Sequence, residues 1–281
     1  MKESLSKCQG RTGTDFRVRH TVLTAACAFF LLGLGEATAA VLDPANISGS
    51  VFFNLSPPAR IDFNTFGTFP LSGPGGSLQF TASGTPAPSL SGQASVAQGF
   101  TGRVSGILIY GIEILGPAGE VPVSIDVSGG ATGSSITNDL FAAFAMKSLW
   151  SLEDVSLGLQ PVFSEGIDTG QLSGRFERNF SHTVDLTLTA NHVYRVTMIA
   201  DAFAAAGSGL SASATTFIDP IFSFGAGVGT GYSFLLSEGI GNSAPVPEPT
   251  SFVLLIAGAL ALSLSGMRHK LIIGASSKST T

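Results

Sequence analysis

His182 and His192 are the two imidazoles between residues 41 and 244, and imidazole is the side chain best matched to proton transfer near neutral pH. Serines and aspartates surround them in number, so a Ser-His-Asp set could be assembled in many ways. No Gly-x-Ser-x-Gly elbow singles out a nucleophile. Metal-ligand spacings are absent too: there is no HxxxH, no HExxH and no DxDxDG loop. Asp168, Asp201 and Asp219 stand near turns and could ligate calcium, but aspartate beside Gly or Pro, as in Asp219-Pro220, is ordinary turn chemistry. Both cysteines, Cys8 and Cys27, precede residue 41, which removes thiolate chemistry and Cys-based metal sites from the rest of the chain. The residues thus predict no catalytic set, no metal and no cofactor. Sugar binding by ring stacking needs an exposed aromatic. Tyr110 and Tyr194 fall inside predicted strands, so Trp150, at the end of an apolar run, is the candidate carbohydrate platform.

The elements that would carry these residues read as strands. Residues 121–127 (VPVSIDV) alternate strictly, with Val121, Val123, Ile125 and Val127 on one side and Ser124 and Asp126 on the other, the period of a half-buried strand. Residues 102–115, 183–188 and 193–200 are further clear strands, and 211–218 and 232–236 are additional ones. Gly116-Pro117-Ala118-Gly119 between two of them predicts a hairpin. Segments 56–60, 70–76 and 84–92, rich in Pro, Gly and Ser, read as loops. Residues 138–150 (NDLFAAFAMKSLW) match neither the helical nor the strand period. Many short strands separated by turns predict a mainly β, antiparallel, jelly-roll-like sandwich of about eight to ten strands.

Composition agrees. Charged residues are 12% of the 281, mean hydropathy is +0.39, and Phe numbers 21 against Tyr 3 and Trp 1, which excludes wholesale disorder. Residues 41–244 hold six basic and fifteen acidic side chains, a net charge of −9, so no nucleic-acid partner is expected, because phosphate binding needs a basic surface.

The two ends differ from this middle. Lys2, Lys7, Arg11, Arg17 and Arg19 precede an apolar run, Thr21 to Gly35, and then Ala37-Thr38-Ala39-Ala40. A basic start, a short apolar core and an A-x-A site read as a secretory signal peptide, residues 1–39, with Ala37 and Ala39 in the signal peptidase pockets and the mature chain beginning at Ala40 or, by a cut one residue later, at Val41. At the other end Val246-Pro247-Glu248-Pro249 is followed by eighteen uncharged residues, 250–267, and then by Arg268-His269-Lys270. Eighteen residues make about 27 Å of helix, which spans a bilayer marginally, and the basic cluster is held on the cytoplasmic side.

The order of Pro-Glu-Pro, apolar span and basic cluster resembles the PEP-CTERM sorting signal of Gram-negative bacteria. The segments 116–129, 190–204 and 211–224 also resemble parts of the exported β-domains that carry such tails. The resemblance implies a sorting motif at Pro247, Glu248 and Pro249, a stop cluster at Arg268, His269 and Lys270, and processing by an exosortase-type enzyme. The basic cluster is interrupted by His269 and followed by eleven residues, 271–281, which departs from the family pattern.

These readings give three parts: signal peptide 1–39, exported β-domain 40–244 with a signal helix before it, and sorting tail 245–281 with a transmembrane helix at 250–267. The expected protein is exported across the inner membrane, passes through a single-pass membrane intermediate, and ends at the cell surface or in the extracellular matrix. There it would serve as a non-enzymatic structural or binding module associated with exopolysaccharide. The alternative is an extracellular hydrolase of polysaccharide or another polymer, which a cleft with buried carboxylates would favour.

Overall fold

The computed structural model describes residues 41–136 and 142–242, and among these there are thirteen strands and no helix. In chain order they are β1 (Asn46–Phe53), β2 (Ala59–Phe63), β3 (Gly67–Gly73), β4 (Gly76–Ser83), β5 (Ser89–Ala97), β6 (Thr101–Leu115) and β7 (Glu120–Ser135). They continue with β8 (Ala142–Asp154), β9 (Gln160–Leu172), β10 (Arg175–Thr189), β11 (Val193–Ala206), β12 (Ser211–Phe224) and β13 (Ser233–Leu236). All pairings are antiparallel. One sheet has the order β2-β1-β6-β11-β8-β9, with β13 also paired to β6; the other has the order β10-β7-β12-β5-β4-β3. The sheets pack face to face, β11 lying across β12 and β5, so the fold is a β-sandwich.

Alternation decides which side chains enter the core. Val121, Val123, Ile125 and Val127 of β7 are all buried, while Ser124 and Asp126 between them are not. On β6 the inward set is Val104, Leu108, Tyr110 and Ile112, and on β11 it is Tyr194, Val196, Met198 and Ala200. Large and small residues interlock between the layers. Gly106 of β6 lies under the Phe80 ring of the opposite sheet, and Gly133 of β7 lies under Phe144 of β8. Phe80 in turn stacks on Phe63, ring centres 4.9 Å apart.

Several sequence expectations are corrected. Residues 142–150 are the first part of β8: the inward positions Phe144, Met146, Ser148 and Trp150 are buried, and the outward ones include Ala145 and Lys147, which blurs the alternation. Segment 70–76 supplies the end of β3, and 89–92 begins β5. Their serines face solvent from a sheet rather than from a loop. The turn 116–119 does not close a hairpin, because β6 and β7 belong to different sheets; it is an arch across the core.

The arches sort the connections to two ends. Leu115, Glu120, Asp154, Val193 and Phe224 lie at one end with both limits of the described chain. There the Ser237 hydroxyl donates to the Asp43 carbonyl at 2.6 Å and accepts from Gly111 N–H at 2.7 Å, so the entering and leaving segments are tied together.

Candidate functional site: the outer face of the six-stranded sheet

The outward positions of the six-stranded sheet form cross-strand rows of short polar side chains. Ser134, Ser213, Ser95, Ser77 and Ser72 stand side by side on β7, β12, β5, β4 and β3. At about 4.8 Å between strands the row is roughly 19 Å long. The next row reads Thr132, Thr215, Gln93, Gln79, and the one after it Asn179, Gly130, Phe217, Ser91, Thr81, Thr68. Hydroxyls bond across strands: Ser134 Oγ to Ser213 Oγ at 2.9 Å and Thr68 Oγ1 to Thr81 Oγ1 at 3.2 Å. Such pairs hold the register and leave a surface of donors and acceptors. Next to the serine row, Ser95, Ser134, Ser135, Ser211 and Ser213 line a shallow hollow of about 240 Å³.

Phe217 lies in the middle of this face. It is the one aromatic among the exposed large apolar side chains of the described residues, at 38% exposure. Its neighbour across β7 is Gly130, where an added Cβ would come within 2.5 Å of Phe217 Cε1 and 2.2 Å of Asn179 Oδ1. The absent side chain lets the ring and the Asn179 amide lie side by side against the sheet. Phe217 occupies an outward position of β12, between Thr215 and Asp219, while Thr216 and Ile218 point inward.

The same face is acidic. Among the described residues Arg175 is the one cation at an outward position of this sheet, and it approaches Glu177 at 3.5 Å. Asp126 accepts from Thr183 at 2.6 Å and Asp185 from Ser124 at 2.6 Å. Asp219 is partly desolvated, which raises its carboxyl above the usual range.

The opposite outer face, on the seven-stranded sheet, carries ion pairs and apolar side chains, among them the half-buried Phe52 and Phe203 on either side of Arg103. Lys147 and Asp168 lie 3.0 Å apart, and the ammonium hydrogen bond holds Asp168 below its ordinary carboxylate value. Arg103 Nε donates to Asp201 at 3.1 Å. These two aspartates are committed to cations of the chain, and among the described residues no group of three His, Cys, Asp or Glu side chains converges.

Trp150 is a correction. It is 1% exposed, packed against Phe163 with ring centres 5.1 Å apart, because it shares the inward parity of Ser148 and Leu152 on β8; it offers no platform to a ligand. Tyr194, on β11 as its strand reading implies, is buried with its hydroxyl bonded to the Thr189 backbone. Tyr110 is buried as well, but its hydroxyl has no hydrogen-bond partner among the described residues, and burial raises its pKa. His182 Nε2 lies 3.1 Å from Glu165 and joins the edge strands β10 and β9. His192 Nδ1 lies 2.8 Å from Asp154 Oδ2. Asp154 also accepts from Leu157 N–H at 3.2 Å, so this pair fastens two loops. Ala37, Ala39, Pro247, Glu248, Pro249, Arg268, His269 and Lys270, and the span 250–267, lie outside the described residues.

Sequence reading missed Phe217, although the signal was present. In SASATTFIDPIF (211–222) the alternation puts a phenylalanine where its neighbours at the same parity are Ser211, Ser213 and Thr215.

No family model matches the chain, and no curated protein matches it. Among solved structures it is similar to one described as "CBM4 structure and function", with 15% identity over 52% of this chain and 94% of that one and a TM-score of 0.21. It is also similar to infectious bursal disease virus structures of the Gt and Gx strains, with 9% and 10% identity, 80% and 76% of this chain, 68% and 71% of those chains, and TM-scores of 0.19 and 0.16. Likenesses this slight carry no assignment of ligand or activity.

Proposed function

We propose that the chain is an exported, non-enzymatic module that holds neutral polysaccharide on the outer face of its six-stranded sheet. The observation that carries this reading is Phe217, an exposed ring lying among Asn179, Ser91, Thr81 and Thr215. A sugar ring has apolar C–H faces and a rim of hydroxyls. Its face stacks on an aromatic ring, and its rim exchanges hydrogen bonds with amides and hydroxyls to either side. A hydrogen-bonded sheet presents these groups at fixed spacing along an extended polymer, which lowers the cost of ordering them on binding. The acidic balance of the face disfavours polyanions, which narrows the ligand to neutral chains.

Delivery belongs to the same proposal. Signal peptidase would cut after Ala39. The span 250–267 would hold the chain in the inner membrane, and an exosortase-type enzyme would act at Pro247-Glu248-Pro249, releasing the domain to the surface or matrix. The jelly-roll-like connectivity and the helices flanking the domain are part of this reading.

The test is affinity electrophoresis of residues 40–244 in gels containing neutral glucan or an acidic polysaccharide. Retardation is expected in the neutral gel. Phe217→Ala is expected to weaken it roughly thirtyfold, the loss of a central aromatic contact worth about 2 kcal/mol, with the emission of buried Trp150 unchanged. Equal mobility of wild type and variant in every gel overturns the proposal.

A further inference from the structure

The loop between β8 and β9 exposes three aliphatic side chains: Val155 at 40%, Leu157 at 59% and Leu159 at 42%. Its fold is fixed. Val155 N–H donates to Val193 O at 2.9 Å, Gly158 N–H to Val155 O at 3.0 Å, and Leu157 N–H to Asp154. Ser156 Oγ accepts from Val193 N–H at 2.9 Å. Leu159 has φ of 63°, a left-handed conformation that costs a branched side chain energy and usually goes to Gly or Asn. A leucine 42% exposed and held in that conformation contributes little to folding.

This loop lies at the end of the sandwich where the chain enters and leaves. Val155 and Leu159 line one groove of about 580 Å³ together with Val41, Leu42 and Pro44, and the segment bearing Leu42 and Asp43 is bonded to Ser237. From Asn242, the last described residue, seven residues (243–249) lead to the apolar span. Fully extended they reach about 25 Å, so a chain anchored by 250–267 keeps this end within that distance of the bilayer. The charged groups nearby are Asp43, Glu238, the Asp154–His192 pair and Arg195, whose Nε bonds Glu153 at 2.9 Å. That balance is not basic, so adhesion there would be apolar and need no anionic lipid.

We infer that Val155, Leu157 and Leu159 form a membrane-docking tip that seats the tethered sandwich on the outer surface of the bilayer while its tail is in place. The contact reaches the boundary between headgroups and acyl chains and sets the end bearing Ser135 and Ile136 away from the membrane. The inference rests on the sorting reading in one respect, that residues 250–267 enter the bilayer.

The test uses the chain from Ala40 to Thr281, which has no cysteine and no apolar leader, reconstituted in phosphatidylcholine vesicles. It carries one new cysteine, Leu157→Cys or, at the opposite end, Ile136→Cys, labelled with a nitrobenzoxadiazole dye. Flotation reports the anchor; reduction of the dye by external dithionite reports the tip. The expected result is that both proteins float and that the dye at 157 reacts about tenfold more slowly than at 136, as for a side chain withdrawn from water. Adding Leu159→Gly, which removes one anchor without straining the loop, should bring the two rates closer. If the chains float and both dyes react equally fast, the docking tip is overturned and the anchor stands. If the chains do not float, the anchor reading fails and the tip falls with it. Protection that vanishes at one chain per vesicle means that a second copy covers the tip, and this also overturns the inference.

Discussion

Substituting Gly106→Ala tests the interlocked core most directly. Gly106 faces the other sheet from β6, between Gly49 of β1 and Ala200 of β11. A Cβ there would meet three Phe80 ring atoms at 2.1, 2.5 and 2.9 Å. The shortest is about 1.4 Å inside the roughly 3.5 Å at which carbon atoms rest. The φ of Gly106 is not positive, so the cost is steric alone. Phe80 is fully buried and stacked on Phe63, which is itself stacked on Phe69 at 4.2 Å; the ring can yield only by shifting a file of three. The expected loss is therefore at the upper end of overpacking, about 2–3 kcal/mol. For a domain of this size that lowers Tm by about 4–9 °C. Urea unfolding of residues 40–244, followed by far-ultraviolet circular dichroism, measures it. Phe80→Leu alone leaves a cavity and also destabilises, but the double variant should recover at least about 1 kcal/mol relative to the sum. A Gly106→Ala protein within about 0.5 kcal/mol of wild type, or strict additivity in the cycle, would refute the packing argument.

Asp219→Asn should stabilise the domain at neutral pH and lose that advantage in acid. Burial raises the folded carboxyl pKa above its unfolded value, so the charged form opposes folding above the folded pKa and the penalty fades as pH falls through it; urea midpoints at pH 7 and pH 3 would show the gap closing. If the proposed sorting route operates, Glu248→Ala, which leaves 250–267 intact, should still enter the membrane of a host that has an exosortase-type enzyme but persist there at full length. Equal processing of both forms, seen by immunoblot of membrane fractions, would remove Glu248 from the motif.

The strands were legible where one face is wet and the other dry. Residues 121–127 announce themselves because Val, Val, Ile and Val alternate with polar groups, and the structure buries those four. Pairing was not legible. Gly116-Pro117-Ala118-Gly119 signals that the chain turns, but a turn does not reveal whether the next strand lies beside the last one or across the core; that depends on β11 and β12, some 80–100 residues further on. The site failed for a related reason. Trp150 was weighed by residue type, whereas its parity on β8 sends it inward. The serines of 70–76 and 89–92 suggested loops, since strand propensity is largely a matter of neighbours and burial rather than of the residue itself.

The sheet order also sets a timetable. β11 lies between β6 and β8, and β12 lies between β7 and β5, so neither layer is continuous until residues 193–224 are available. A chain emerging N-terminus first must keep β6, β7 and β8, with their apolar sides, waiting for two keystones made near the end of the domain. Such non-local closure is slow and prolongs the interval in which unpaired edges can meet those of another chain. Within this architecture, assembly is a race between the last two long strands and the neighbours of the first ten.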